Sequence, residues 1–169
     1  WRASFLNQKE NGESLISITS ARAGNVIGGG DWSENRIIPD IIRSLKINEK
    51  IKIRNPSSTR PWQHVLEPLC GYLILAERLN YNKIEYSNPF NFGPFIDSNR
   101  TVKELVDESI KNWHGEYFID NNQNKPHEAG VLSLSIEKAI KYLDWQPKWD
   151  FSSTIEKTIK WYKKVHIDS

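Results

Sequence analysis

The sequence has no methionine, a single cysteine, Cys70, and no marked excess of either charge. One cysteine excludes an intramolecular disulfide, so packing and hydrogen bonds must hold the fold, and a reducing, cytoplasmic compartment is the expectation. With 23 basic against 21 acidic residues, the formal net charge is only +2. The two signs are interspersed and give no electrostatic footprint for nucleic acid or an anionic membrane surface. No apolar run approaches the ~20 residues that cross a bilayer as a helix. No metal set emerges either, because His64, His114, His127 and His166 lack H-x-x-x-H or cysteine spacing. The chain opens at Trp1 with WRASFLNQK, which reads as the tail of a helix. Together with the missing initiator methionine, this points to a portion of a longer protein.

What is present suits a packed domain: 169 residues, 38% of them hydrophobic, with seven tryptophans and six tyrosines. The most conspicuous stretch is ARAGNVIGGGDW, residues 21 to 32. It fails both well-defined phosphate templates. Counting from Gly24 as a P-loop reaches Gly29, but Gly30 stands where lysine is required. Counting G-x-G-x-x-G from Gly28 and Gly30 puts Ser33 at the third glycine. A tight turn in which backbone approaches a neighbour closely is the simpler reading.

Along the chain, SLISITSAR reads as a buried strand running into that loop. Ile37, Ile38, Ile41, Ile42 and Leu45 recur at helical spacing over 36–47, with Pro39 in the first turn. IKIRNP and PWQHV read as short strands. Leu66, Leu69, Tyr72, Leu73, Ala76 and Leu79 predict the buried face of a helix over 66–79. PFNFGP reads as a strand, and Thr101 to Glu104 as a capping box opening the next helix. EYFID and VLSLS read as strands flanking the polar NNQNKPHE loop. Ser135 would cap a short helix with Ile136, Ala139, Ile140 and Leu143 inward, and Ser153 to Glu156 would be a second capping box. Strands separated by helical stretches predict an α/β fold with at least part of a parallel sheet.

The order of these pieces carries a resemblance. A strand ending R-x-G-N, a glycine loop, a basic residue before I-I-P, R-P-W-Q-H-V, F-N-F-G and a late L-x-W-x-P together resemble the C-terminal half of an extended short-chain dehydrogenase/reductase. Within that superfamily RAGNVIGGGDW, RIIPD, IRNPSSTRPWQHVLEPLCGYL, NFGP and HEA are similar to the CDP-glucose 4,6-dehydratases, although Gly130 and Ser135 stand at the family's His and Asp positions. The resemblance implies the last strands of a Rossmann-type parallel sheet, in residues 1–27 and 64–93. It implies a smaller α/β substrate-binding lobe in 28–63 and 94–169. The cofactor would be NAD and the substrate CDP-glucose, a nucleotide sugar, and the full-length protein a homo-oligomer serving deoxysugar biosynthesis for lipopolysaccharide O-antigen. The implied reaction oxidises C4, eliminates water across C5 and C6 and returns hydride to C6. Neither the dinucleotide fingerprint nor the family's Tyr-x-x-x-Lys base occurs in these residues, so no catalytic residue is assigned and the chain by itself is expected to be inactive.

The same resemblance nominates binding residues. Arg60, before Pro61-Trp62, matches the diphosphate-binding arginine, and a guanidinium suits paired phosphate oxygens. Arg36, before I-I-P, matches a basic contact, and Arg54 a position near the nucleoside. Asn25 resembles the asparagine that meets the sugar diphosphate beside the nicotinamide, with Ala23 also at the cofactor. Asn91 in FNFG lies near the nucleotide, and His127 and Glu128 match the late loop over the ribose. GGGDW would then be the turn into the substrate lobe rather than a pyrophosphate loop. His64 reads as a structural histidine. Open alternatives are a sibling nucleotide-sugar epimerase or dehydratase and a non-catalytic nucleotide-sugar-binding module.

Overall fold

The computed structural model describes residues 9–10, 13–14, 16–81, 83–120 and 132–167. They belong to two units, each assembled from discontinuous segments: 1–23, 66–93 and 134–148 in the first, and 24–65, 94–133 and 149–169 in the second. The architecture is mixed α/β with parallel strand pairs.

In the first unit, β1 (Lys9–Glu10) and β2 (Glu13–Ser14) form a short antiparallel ladder. β3 (Ala21–Ala23) pairs in parallel with β7 (Phe90–Phe92), in the register Ala21↔Phe90 to Ala23↔Phe92. A parallel pair needs a crossover. Two helices of this unit lie in the intervening sequence: α2 (Leu66–Tyr81) and the single turn α3 (Lys83–Tyr86). α5 (Glu137–Leu143) ends on Asp144 in the left-handed region, φ 51°, where the Trp145 amide returns to the Ala139 carbonyl. Leu75, Phe90, Phe92, Ile136, Ala139, Leu143 and Trp145 make one core, each large side chain contributing roughly 1.5–3 kcal/mol on burial. The Glu67 carboxylate, also buried, accepts the Lys148 amide at 3.0 Å.

The second unit holds β4 (Asn25–Ile27), parallel to β6 (Thr59–His64) with Asn25↔Trp62 and Ile27↔His64. β8 (Asn99–Thr101) adds antiparallel to β6, placing Arg100 opposite Arg60. β5 (Ile51–Ile53) pairs in parallel with β9 (Tyr117–Ile119). α1 (Ile37–Lys46), α4 (Val102–Asn112) and α6 (Phe151–Ile167) supply the helical layer. Ile38, Ile41, Ile42 and Leu45 of α1 meet Ile51, Ile53, Leu105, Val106, Ile155, Ile159 and Tyr162 in its core. Thr101 and Glu104 form the expected capping box: each side chain accepts the other's backbone amide, at 3.1 and 2.7 Å. No helix among the described residues is long and apolar enough to cross a membrane.

Several expectations need correction. Of SLISITSAR, Ser14 ends β2, residues 16–20 have no regular structure, and strand resumes at Ala21. The stretch 132–135 of VLSLS is likewise not a strand. It leads instead to α5, whose N-cap is Ile136 rather than Ser135 and whose Ile140 is exposed. α6 starts at Phe151, with the Asp150 carboxylate accepting the Ser153 amide at 2.8 Å, so the cap is Asp150 and Ser153 already lies inside the helix. The α2 face is only partly as expected: Tyr72 and Leu79 pack against the core, but Leu66, Leu69, Leu73 and Ala76 are exposed, while Pro68, Gly71 and Leu75 are buried. Gly71 is the reason. Its missing side chain lets the Phe92 ring lie against the helix backbone, and a count of apolar side chains passes over a glycine. The two units part in sequence after 23 and after 65, with β4 bonded to β6 in the second, and residues 134–148 pack in the first, where Ile136, Ala139, Leu143 and Trp145 find Phe90 and Phe92.

Candidate functional site

In the second unit two of the nominated arginines, Arg36 and Arg54, gather at the start of α1. Arg36 is its N-cap in an extended conformation, φ −104° and ψ 139°. Its side chain is 66% exposed, and the guanidinium lies 3.8 Å from the Asp31 carboxylate. Arg54, one residue past β5, donates to Asn35 Oδ1 at 3.0 Å and Asp40 Oδ2 at 3.2 Å. Asp40 also accepts from Arg43 at 2.8 Å. Asp40 and Asn35 thus hold Arg54 by hydrogen bonds, while Asp31 faces Arg36 in a looser ionic contact, and part of each five-donor fork is left open. Arg60, on β6, is half-buried and donates to the Thr59 carbonyl at 2.9 Å. Asn25 starts β4, opposite Trp62, two residues from Arg60.

The loop carrying Asp31 and Arg36 is held by α6. Gly30 has φ +86°, the left-handed region that favours glycine, and a Cβ on Gly29 would run into the Trp161 indole. The Tyr162 phenol donates to the Asp31 carbonyl at 2.7 Å, and its ring meets Trp32 edge-on at 5.2 Å. Burial raises the Tyr162 pKa, so the phenol stays a donor at neutral pH. The Ser33 amide donates to the Asp31 carboxylate at 2.9 Å and is the main cause of that group's lowered pKa. Asp31, Trp161 and Tyr162 were not singled out by the sequence reading. The aromatic pair lies 130 residues along the chain from the loop, and no local spacing links them.

In the first unit, Ala23 and Asn91 sit on the adjacent strands β3 and β7, where Asn91 faces Arg22. Asn91 Nδ2 donates to the Ser135 carbonyl at 3.2 Å, while its Oδ1 is buried with no hydrogen-bond partner among the described residues. His127 and Glu128 lie outside the described residues.

A cleft of about 440 Å³ in the second unit contains none of the nominated residues. It is lined by Asp97, Glu104, Asp107, Glu108 and Asp150 against Arg100 and Lys111, a balance that repels rather than attracts a diphosphate.

His64, at the end of β6, is buried and packs edge-on against Trp149 at 4.8 Å, over which Lys157 Nζ lies at 4.5 Å. Burial first, and the Lys157 charge second, push its pKa below the ordinary value, which suits the structural role expected of it. Because the unfolded chain takes up this proton near pH ~6.5 and the folded one resists it, stability is full above that pH. It declines as pH falls, until the folded imidazole also protonates. Denaturation midpoints should therefore drop as pH falls below about 6.5, and His64→Gln should flatten that slope. An unchanged slope in the variant would assign the decline to other groups.

No family model matches the chain. Among curated proteins it is 43% identical over 164 residues to CDP-glucose 4,6-dehydratase of Salmonella typhimurium, across 96% of this chain and 46% of that protein. It is 25% identical over 149 residues to dTDP-D-glucose 4,6-dehydratase of Mus musculus, across 87% of this chain and 41% of that protein. The chain thus spans just under half the length of these relatives. Its fold matches a dTDP-glucose 4,6-dehydratase from Bacillus anthracis in complex with NAD, with a TM-score of 0.67, 19% identity, and coverage of 86% of this chain and 44% of that one. It also matches a UDP-glucuronic acid 4-epimerase from Bacillus cereus in complex with UDP-glucuronic acid and NAD. There the TM-score is 0.71 at 17% identity, over 89% of this chain and 46% of that one. The chain is therefore a relative of CDP-glucose 4,6-dehydratase with the fold of an extended short-chain dehydrogenase/reductase, matching just under half of the longer enzyme.

Proposed function

We propose that these residues are the C-terminal portion of an NAD-dependent CDP-glucose 4,6-dehydratase and that they hold the nucleotide sugar. The observation that carries this is the 43% identity to such an enzyme along 96% of the chain. Three arginines, Arg36, Arg54 and Arg60, all in the second unit, support it, because a diphosphate flanked by a nucleoside and a sugar asks for cations at several points. Arg60 binds the diphosphate, Arg36 adds a basic contact, and Arg54 lies toward cytidine and its ribose. Asn25 reaches the diphosphate beside the nicotinamide, and His127 and Glu128, which lie outside the described residues, are assigned to the ribose from the resemblance alone.

For NAD the chain supplies only one side of a site. Asn91 offers an unmet acceptor on the strand beside Ala23 and is assigned to the substrate nucleotide rather than to NAD. Ala23 and Asn25 would flank the cofactor, whereas no glycine stretch here fits a pyrophosphate template. When bound, NAD takes up and returns the hydride. The reading extends to a cytoplasmic homo-oligomer that makes a 4-keto-6-deoxy sugar for lipopolysaccharide O-antigen.

The test uses a full-length enzyme carrying these residues and CDP-glucose tritiated at C4. The dehydratase reading expects the label at C6 of a 4-keto product. The alternative, a sibling nucleotide-sugar epimerase, leaves C6 hydroxylated. In the same enzyme Arg60→Lys should weaken CDP-glucose binding by about 1–3 kcal/mol, since one ammonium cannot reproduce paired guanidinium bonds. Unchanged affinity would remove Arg60 from the site.

A further inference from the structure

We infer that Tyr162 is a positioning residue for substrate binding, acting through the loop it anchors upon Arg36; the inference rests on Arg36 contacting the nucleotide sugar. The chain of contacts is continuous within the second unit. The buried phenol of Tyr162 donates to the Asp31 backbone carbonyl at 2.7 Å, and Trp161 closes over Gly29 from the same helix. The Asp31 carboxylate, steadied by the Ser33 amide, faces the Arg36 guanidinium at 3.8 Å. On the far side, Arg43 donates to the Trp32 carbonyl and is itself held by Asp40 at 2.8 Å. Among the described residues the ionic contact of the Arg36 side chain is with Asp31, not with a group on α1. The direction of its guanidinium therefore depends on Asp31, and the placement of Asp31 on Tyr162. A long exposed arginine loses rotamer freedom when it binds a ligand, and a preset carboxylate lowers that cost. The same carboxylate lies far enough away to yield the guanidinium to a phosphate, at a separation where a direct hydrogen bond is not formed.

The experiment is a double-mutant cycle in a full-length enzyme carrying these residues, with CDP-glucose as substrate. Arg36→Gln should raise KM about tenfold or more, and Tyr162→Phe about three- to tenfold, the worth of one neutral hydrogen bond, with kcat held within about twofold. In the Arg36→Gln background, Tyr162→Phe should raise KM no further, because its route to substrate has been removed. A merely structural tyrosine would lower kcat and thermal stability without this dependence on Arg36. Should Tyr162→Phe not fold, Asp31→Asn keeps the carbonyl contact, removes the aiming charge and is expected to raise KM likewise. The inference is overturned if Arg36→Gln raises KM while Tyr162→Phe does not, or if the two effects multiply independently. An Arg36→Gln variant with wild-type KM overturns it too, together with the placement of Arg36. Arg60→Lys then shows whether the substrate reading itself survives.

Discussion

A polypeptide of these 169 residues, supplied with NAD and CDP-glucose, should produce no CDP-4-keto-6-deoxyglucose. The sequence contains no G-x-G-x-x-G and no Tyr-x-x-x-Lys, so neither the cofactor's pyrophosphate nor the proton transfers have their expected residues. A positioned general base is worth about 10²- to 10⁴-fold, and losing hydride-acceptor placement removes the route altogether. The sheets point the same way. Among the described residues β3 pairs with β7 alone and β5 with β9 alone. Parallel strands are stable where both faces are covered and further strands continue the ladder. Leu66, Leu69 and Leu73 add an exposed apolar face on α2. Poor solubility alone is therefore expected, with recovery of both solubility and turnover when an N-terminal half bearing the two missing motifs is co-expressed. A soluble chain that converts CDP-glucose unaided would mean that the chemistry has been placed in the wrong half.

What could be read from the sequence follows from where each determinant lies. α1 was legible because five apolar side chains recur at helical spacing and all reach one core. The Thr101 box was legible because its partners are three residues apart. Asp150 escaped notice because Ser153 and Glu156 offer an equally good local pattern three residues later, and only packing chooses between them. Residues 16–20, rich in Ile and Thr, reach β7 among the described residues by the Phe90 amide on the Ser20 carbonyl, and 132–135 join no ladder there; propensity without a full set of partners does not make a strand. The binding residues were nominated by motif order. Their orienting partners were not, because Tyr162 reaches Asp31 across 131 positions. Charge content could not foretell that acids crowd one cleft while Arg36 and Arg54 assemble elsewhere.

Gly71→Val should destabilise the first unit by about 3 kcal/mol, the upper part of the usual range for forcing volume into a packed core. Two effects oppose each other. Valine is a better helix former than glycine by roughly half a kcal/mol, and on an exposed helical face that gain would decide the sign. Position 71 is not such a face. A Cβ there would overlap Cδ1 and Cε1 of Phe92 and lie 3.1 Å from its Cγ. Phe92 cannot yield: it is fully buried, with Tyr72 edge-on at 5.3 Å and Trp145 edge-on at 4.9 Å. The branched side chain must push α2 away from β7 or force Phe92 off its rotamer, and either opens the core around Leu75 and Ala139. Denaturation of a full-length enzyme carrying the change should show the loss. Gly71→Ala should cost less, because only the Cβ must fit. Phe92→Leu should cost less in the Gly71→Val background than in the parent, as the two sites share one space. The exposed Leu73→Ala serves as the control, within about 0.5 kcal/mol of the parent. A Gly71→Val enzyme as stable as its parent would mean that α2 does not rest on Phe92 through this glycine.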